Sequence, residues 1–147
     1  MGVRAKPVLR SVFLAASCAL PLSALAEEAG PLAEAIVEYM DFATYESGII
    51  LPQQIDQSLF ASAMFVDTRD AEQFATSHIP GAINIDWRAV PGRLSELPET
   101  GMVILYCNTG SLSAQATFAA RVLGRENVVV LQSGLRGWLK DAAWKPN

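Results

Sequence analysis

The sequence predicts an α/β domain built on a mostly parallel β-sheet. Short apolar runs typical of buried strands alternate with amphipathic segments of about ten residues that are typical of helices. The run 102–106 (MVILY) is apolar without alternation, as expected of a central strand covered on both faces, and the run 128–131 (VVVL) has the same character. Ligands of such sheets bind at the carboxyl ends of the strands, so we expect the functional site there.

Size and charge exclude several classes of protein. The 147 residues suffice for one domain with a single core. Only 18% of the residues are charged, which disfavours a disordered chain or a nucleic-acid-binding tail. The net charge is −4, and all 15 acidic residues lie after residue 26. We therefore expect neither nucleic acid nor an anionic membrane surface as a partner.

Residues 1–26 have the layout of a secretory signal peptide. An apolar run covers residues 12–22, and Ala24-Leu25-Ala26 places small residues at the two positions that a signal peptidase reads. The basic residues ahead of the run are Arg4, Lys6 and Arg10. We expect cleavage near Ala26 and a periplasmic or otherwise exported protein.

Two alternatives to cleavage are a retained membrane anchor and lipid attachment at Cys18. The apolar run is shorter than the about 20 residues of a membrane-spanning helix, and Pro21 interrupts it. Residues 15–17 before Cys18 lack the leucine that a lipid-attachment site usually carries. Both alternatives are therefore disfavoured, and we expect no membrane association after cleavage.

Cleavage leaves Cys107 as the only cysteine of the mature chain. A lone cysteine forms neither an intramolecular disulfide nor a multi-cysteine metal site, and we expect no metal and no cofactor. Such a residue is either a small buried hydrophobic group or a reactive thiol.

Residues 27–57 are expected to form a helical and extended lead-in, and residues 58–147 the main domain. Residues 31–44 predict an amphipathic helix. Residues 48–55 (GIILPQQI) predict an edge strand or an extended segment, because Pro52 interrupts a short apolar run. The residues expected on the apolar face of the helix are Leu32, Ile36, Tyr39 and Met40.

The main domain is expected to continue with alternating elements. Residues 64–67 predict a strand, residues 70–77 a helix capped by Asp70, and residues 82–85 a strand after a turn at Pro80-Gly81. A short helix over residues 134–143 is expected to hold Trp138 and Leu139, with Trp138 in the core. Between these lies a helix that ends at Gly124, with an apolar stripe of Leu112, Ala116, Ala119 and Leu123.

Cys107 follows the strand 102–106 directly and precedes this striped helix. A short turn there would direct the backbone N–H groups of residues 108–113 into an anion-binding cup at the helix N-terminus. A helix N-terminus lowers the pKa of a thiol, so this position suits a reactive cysteine. Gly110 permits a close backbone approach, and the hydroxyls of Thr109, Ser111 and Ser113 are candidate further donors. The alternative is a structural cysteine that ends a core strand.

Three separate segments carry a resemblance to a known family. They are FVDTRDAEQFATSHIPGAINI (65–85), YCNTG (106–110) and VVVLQSGLRGW (128–138). In these segments the chain resembles the rhodanese (thiosulfate sulfurtransferase-like) domain family, over roughly residues 58–140. The resemblance implies a rhodanese-like fold, with a central mostly parallel sheet of about five strands and helices on both faces.

The resemblance also implies a sulfurtransferase activity. Cys107 would take sulfane sulfur from a donor, thiosulfate or a persulfide, as a cysteine persulfide and pass it to a thiol or cyanide acceptor. Asp67 and Arg69 would be supporting residues that hold the sheet edge and the loop. The residues implied to form the cradle around the transferred sulfur are Asn108, Thr109, Gly110, Ser111, Leu112 and Ser113.

The chain departs from the family at Leu112, because active members often have a basic side chain at this last position of a six-residue loop. Phosphatases and arsenate reductases of the same fold need that basic residue and a longer loop, so both are disfavoured. The alternative function is a non-catalytic module: a sulfur carrier, redox sensor or protein-binding domain. The sequence leaves the oligomeric state open.

Four other side chains are candidates for a place at the site. His78, the only histidine, is expected to be structural, as the family uses it at this position. Trp87, Arg88 and Arg93 are expected either to line the mouth of the site or to lie on the surface. If they line the mouth of the site, Arg88 or Arg93 would replace the basic side chain that the loop lacks at Leu112.

Overall fold

The protein forms one five-stranded sheet. The computed structural model describes residues 30–146, so the predicted signal peptide, including Cys18, lies outside the described residues. The strands are β1 (Ile49–Ile50), β2 (Met64–Asp67), β3 (Ile83–Asn84), β4 (Val103–Tyr106) and β5 (Val128–Leu131). All neighbouring strands pair in parallel in the order β1-β5-β4-β2-β3, which confirms the predicted α/β class.

Helices connect the strands. Every helix predicted from the sequence is present, but the helix Gln57–Ser62 and two 3-10 helices have no counterpart in the prediction. None of the helices within residues 30–146 is long and apolar enough to cross a membrane. The α-helices are α1 (Gly30–Phe42), α2 (Gln57–Ser62), α3 (Ala71–Thr76), α4 (Ser111–Val122) and α5 (Gly134–Asp141), and two 3-10 helices span Pro52–Gln54 and Val90–Glu96.

The sheet is covered on both faces, as predicted. Successive residues of a strand point to opposite faces, so β4 contributes to two apolar clusters. Helices α2 and α5 cover the cluster that contains Ile104, Tyr106 and Trp138, and Trp138 is in the core as expected. Helix α4 and the second 3-10 helix cover the cluster that contains Val103 and Leu105. Because β4 is buried on both faces, its carboxyl end is held firmly where Cys107 follows.

The apolar stripe predicted for α4 is buried only at Ala116, and its two leucines are exposed. Leu112 is 39% exposed and Leu123 is 55% exposed, whereas Ala116 is buried. The face that packs on the sheet consists of small residues, because these let the helix approach the strands closely. That face is formed by Ser113, Ala116, Thr117 and Ala120. Leu112 is consequently available to the functional site.

Helix α1 is present as predicted, but its predicted apolar face is not buried. Leu32 is 67% exposed and Met40 is 60% exposed. The helix instead contacts α4 through Tyr39, whose ring meets Phe118 edge-on with centroids 5.5 Å apart. Arg121 Nε donates a hydrogen bond to the Tyr39 hydroxyl at 3.2 Å. The predicted edge strand is confirmed as β1, which pairs with β5.

Candidate functional site

The thiol of Cys107 lies inside the turn between β4 and α4. The backbone N–H of Gly110 donates a hydrogen bond to Sγ at 3.2 Å. The Ser113 hydroxyl shares its single proton between Sγ, at 3.6 Å, and the Gly110 carbonyl oxygen, at 3.1 Å. Gly110 is the N-cap of α4 and has a φ of 94°, a conformation that residues with a Cβ atom rarely adopt. The glycine therefore allows the chain to turn within three residues of the cysteine.

The environment of Cys107 favours the thiolate. Burial of the thiol, which is only 3% exposed, raises its pKa. The N–H and hydroxyl of Ser113 and the N–H groups of Thr109 and Leu112 lower it. The donors outweigh the burial, so the pKa of Cys107 lies below its ordinary value. The expected cup of N–H groups at the start of α4 is thus present around the sulfur.

Helix α5 holds this loop from the other side. The N–H of Leu135 donates to the carbonyl oxygen of Cys107 at 2.7 Å, and the N–H of Arg136 donates to that of Asn108 at 3.2 Å. Gly134 makes the approach possible, since a Cβ atom there would lie 2.3 Å from the Cys107 carbonyl oxygen. With these two carbonyls directed at α5, the loop presents N–H groups rather than carbonyls to the sulfur.

Asp67 and Arg69 form a buried ion pair beside the loop. Arg69 Nη2 lies 2.5 Å from Asp67 Oδ2, and the two residues are 6% and 0% exposed. The hydrogen bond and charge of Asp67 raise the pKa of Arg69, which keeps it charged. Arg69 Nη1 also donates to Asn108 Oδ1 at 3.1 Å, and Nη2 donates to the Ser77 carbonyl at 2.5 Å. This pair therefore connects β2 to the cysteine loop.

A second link joins the loop to α3. Asn108 Nδ2 donates to Gln73 Oε1 at 2.7 Å, and Gln73 Nε2 donates to Asp70 Oδ2 at 2.6 Å. Asp70 also accepts from the Gln73 backbone N–H at 2.8 Å, as expected of the predicted helix cap. The side chain of Asn108 is consequently fixed from two directions.

A cavity of about 320 Å³ opens beside the cysteine loop. Trp87 and Leu112 provide apolar wall, and Asp86 and Arg88 form an exposed ion pair at 2.8 Å. Hydrogen bonds from Arg88 lower the pKa of Asp86 to about 2. The lining residues are Thr68, Arg69, Asp70, Gln73, Asp86, Trp87, Arg88, Cys107, Asn108, Thr109 and Leu112.

The remaining candidate residues lie in different places. Thr109 and Ser111 direct their hydroxyls at each other, 3.2 Å apart, rather than at the thiol. Arg88 and Trp87 line the cavity, which is the first of the two positions expected for them. Arg93 is paired with Glu96 at 2.6 Å and does not line the cavity.

His78 lies outside the cavity. The His78 ring stacks on Phe74 with centroids 4.1 Å apart, and its Nδ1 lies 2.8 Å from the Phe74 carbonyl oxygen. This position fits the structural use expected for it.

Three supporting residues had no clear signal in the sequence. The Tyr106 hydroxyl accepts the Ile79 N–H at 3.0 Å, and Asn84 Nδ2 donates to the carbonyls of Asp67 and Arg69 at 2.9 and 2.8 Å. Gln73 is the third, and a single amide in a short helix gives no periodic pattern. Within residues 30–146 no three His, Cys, Asp or Glu side chains cluster closely enough to hold a metal ion.

The fold and the cysteine loop define a rhodanese-like domain. Residues 51–141 match the family described as the rhodanese-like domain, and the chain belongs to this family. The resemblance that the three segments carried is therefore confirmed.

The relatives of this chain include sulfurtransferases and a putative sulfur carrier protein. A sulfurtransferase of Allochromatium vinosum is 31% identical over 77 residues, which cover 52% of this chain and 72% of that protein. The thiosulfate sulfurtransferase PspE of Escherichia coli K12 is 33% identical over 87 residues, covering 58% and 79%. A putative sulfur carrier protein, YrkF of Bacillus subtilis, is 29% identical, and the match covers 58% of this chain but 45% of YrkF. Together the family and these relatives support a sulfurtransferase at the general level.

Solved structures share the fold. A rhodanese-related protein of Thermoplasma volcanium superposes with a TM-score of 0.57 at 21% identity, over 63% of this chain and 90% of that one. The BH2092 protein of Bacillus halodurans gives a TM-score of 0.57 at 25% identity, over 74% and 81%.

Proposed function

We propose that the protein is a sulfurtransferase that carries sulfane sulfur as a persulfide on Cys107. The observation that supports this most directly is the placement of the thiol. Sγ receives hydrogen bonds from the Gly110 N–H and the Ser113 hydroxyl, and the residue lines a cavity of about 320 Å³. Such a setting favours the thiolate form and lets the thiol meet a small molecule.

The first half-reaction is a displacement at sulfur. The Cys107 thiolate attacks the outer sulfur of a donor, the bond between that sulfur and the rest of the donor breaks, and its electron pair leaves with sulfite or a thiolate. In the second half-reaction, an acceptor thiolate or cyanide attacks the terminal sulfur of the persulfide, and Cys107 departs as thiolate. No net oxidation occurs, because the sulfane sulfur is exchanged between nucleophiles.

The N–H cup serves the charged species of both steps. The terminal sulfur of a cysteine persulfide is anionic, and backbone N–H groups at a helix N-terminus stabilise such an anion. The bonds from Leu135 and Arg136 to the loop carbonyls keep these N–H groups directed inward before the donor arrives. The enzyme therefore spends little energy on reorganising the loop during transfer.

Mass spectrometry tests the proposal. The protein incubated with thiosulfate or an organic persulfide should gain the mass of one sulfur atom on Cys107, and cyanide should remove it as thiocyanate. Cys107→Ser should gain nothing. A wild-type protein that gains no sulfur from either donor would contradict the proposed function.

The second candidate is a non-catalytic module that holds sulfur without turning it over, or that acts as a redox sensor or protein-binding domain. Leu112 favours it, because this residue stands at the loop position that is often basic in active family members. A carrier would retain its persulfide in the presence of cyanide and small thiols. Multiple turnovers of thiocyanate per protein would therefore exclude the carrier.

We also propose that the protein acts after export, as the basic segment, apolar run and Ala24-Leu25-Ala26 indicate. The mass of protein recovered from the exported fraction should correspond to a chain that begins at Glu27. A chain that retains Cys18 with a lipid on it would contradict this.

A further inference from the structure

Apart from the Cys107 thiolate, one charged side chain that lines the cavity forms no salt bridge with the described residues, and its charge is negative. The other ionisable lining residues number four. Arg69 pairs with Asp67 at 2.5 Å, and Arg88 and Asp86 pair with each other at 2.8 Å. The fourth is Asp70.

Asp70 forms no salt bridge within residues 30–146. Its charge acts on the nearby Arg69, but that guanidinium is already paired with Asp67. Its carboxylate accepts hydrogen bonds from the backbone and side-chain amides of Gln73, both of which are uncharged. These bonds lower the pKa of Asp70, so it is ionised at neutral pH. An entering donor consequently meets a carboxylate that no ammonium or guanidinium group pairs with directly.

The same cavity has an apolar side. Leu112, in the first turn of α4, is 39% exposed and lines the cavity together with the half-buried Trp87. A basic side chain at position 112 would offer a charge to the outer part of an anionic donor, whereas leucine offers only apolar surface. Apolar wall gains free energy when it covers an organic group and gains none from a hydrated anion.

We propose that this cavity selects its sulfur donor by charge and polarity. It takes a sulfane-sulfur compound that has an organic group and no more than one negative charge, and Leu112 and Asp70 discriminate against the thiosulfate dianion. The inference rests on the proposed function, and names the donor class for the same cysteine. An organic thiosulfonate or an organic persulfide belongs to this class.

The chemistry balances for such a donor. The Cys107 thiolate attacks the terminal sulfur of a thiosulfonate, R–SO2–S⁻, and the S–S bond breaks. The electron pair leaves with the sulfinate, R–SO2⁻, and Cys107 becomes a persulfide anion. Two negative charges enter the step and two leave it. With thiosulfate, the thiolate and the dianion bring three negative charges to the same sulfur atoms. The carboxylate of Asp70 adds a fourth negative charge nearby.

Two probes of matched chemistry test the inference in the intact chain. Benzenethiosulfonate is a monoanion with an aromatic group, and thiosulfate is a dianion without one. The rate at which each donor sulfurates Cys107 is followed by intact mass. It is then divided by the rate at which the same donor reacts with a free thiol, so that the intrinsic reactivity of the donor is removed. We expect the normalised kcat/KM for benzenethiosulfonate to exceed that for thiosulfate by about tenfold or more.

Variants of Leu112 separate charge from shape. Leu112→Arg should raise kcat/KM for thiosulfate by about tenfold and lower it for benzenethiosulfonate, because the apolar wall is lost. Leu112→Gln, which is polar but uncharged, should slow benzenethiosulfonate without a gain for thiosulfate. Because Leu112 is partly exposed, both variants should fold.

Variants of Asp70 provide an independent arm. Asp70→Ser retains a side-chain cap for α3 and removes the charge, and should raise kcat/KM for thiosulfate about two- to fivefold at low ionic strength. Glu72→Gln removes one charge from the same helix but not from the cavity lining, so thiosulfate turnover should stay unchanged.

The outcomes distinguish this inference from the proposed function. Equal normalised rates for the two donors, or no response of thiosulfate to Leu112→Arg and Asp70→Ser, would overturn the selection by charge while a persulfide still forms. Failure of both donors to sulfurate Cys107 would overturn the proposed function as well.

Discussion

The backbone N–H of Leu135 donates a 2.7 Å hydrogen bond to the carbonyl oxygen of Cys107, so the helix after β5 holds the loop after β4. The first N–H groups of any helix lack partners within it, and in α5 two of them find partners in this loop. The contact explains why the segment that contains Gly134 and Leu135 matters to a cysteine more than 20 residues earlier in the chain.

Gly134→Ala should disrupt this contact. The added Cβ would lie 2.3 Å from the Cys107 carbonyl oxygen, and the φ of 55° disfavours any residue with a Cβ. We expect the free energy of unfolding to fall by about 2–4 kcal/mol and persulfide loading to slow, measured by urea unfolding and by intact mass. The control is Gly92→Ala, because a Cβ at Gly92 meets nothing within 4 Å. Equal stability of the two variants would contradict the role of Gly134.

Removing one partner of the buried Asp67–Arg69 ion pair should cost more stability than removing both. Asp67→Asn leaves the Arg69 guanidinium buried without its counter-charge, and we expect a loss of about 3–5 kcal/mol in urea unfolding. The double variant Asp67→Leu, Arg69→Met should recover a large part of this loss, since it removes both charges. Breaking the exposed Arg93–Glu96 pair with Glu96→Gln should have no measurable effect. A double variant less stable than Asp67→Asn would contradict this account.

Much of the fold could be predicted because strand residues carry strong local signals. The runs that became β4 and β5 are apolar throughout, and Asp70 caps α3 as its position indicated. The buried face of α4 could not be found in this way. Ser113 and Ala116 face the sheet because they are small, while Leu112 faces the cavity, and hydrophobicity alone ranks these residues in the opposite order.

The candidate site also has a part that the sequence predicts and a part that it does not. The position of Cys107 between a buried strand and a helix was apparent, because both elements are strongly patterned. The contacts that hold the loop join distant parts of the chain, such as Asn108 to Gln73 and Arg69, 35 and 39 residues away. Polar side chains in pairs like these give no periodic signal, so only the three-dimensional structure brings them together.

The pKa of Cys107 should respond to Ser113. Burial raises that pKa, but hydrogen bonds that include the Ser113 hydroxyl bring it below the ordinary value, so the thiolate persists to lower pH than in a free thiol. In Ser113→Ala the pKa should rise, and iodoacetamide alkylation at pH 6 should slow about threefold or more. Ser111→Ala is the matched control, because its hydroxyl contacts Thr109. Identical pH profiles for the two variants would show that the Ser113 hydroxyl does not act on the thiol.

Helix α1 should open without the rest of the domain. None of its 13 residues is fully buried, and an isolated helix of this length is marginally stable in water. Its amides should therefore exchange with deuterium about 100-fold faster than the buried face of α4, whose opening needs the core to separate. Tyr39→Ala removes the contacts with Phe118 and Arg121 and should speed exchange in α1 while α4 stays unchanged. Tyr45→Ala removes an equally large but fully exposed side chain and should change neither helix. If α1 exchanged as slowly as α4, the helix would be part of the cooperative core, and its contact through Tyr39 would be a minor part of what holds it.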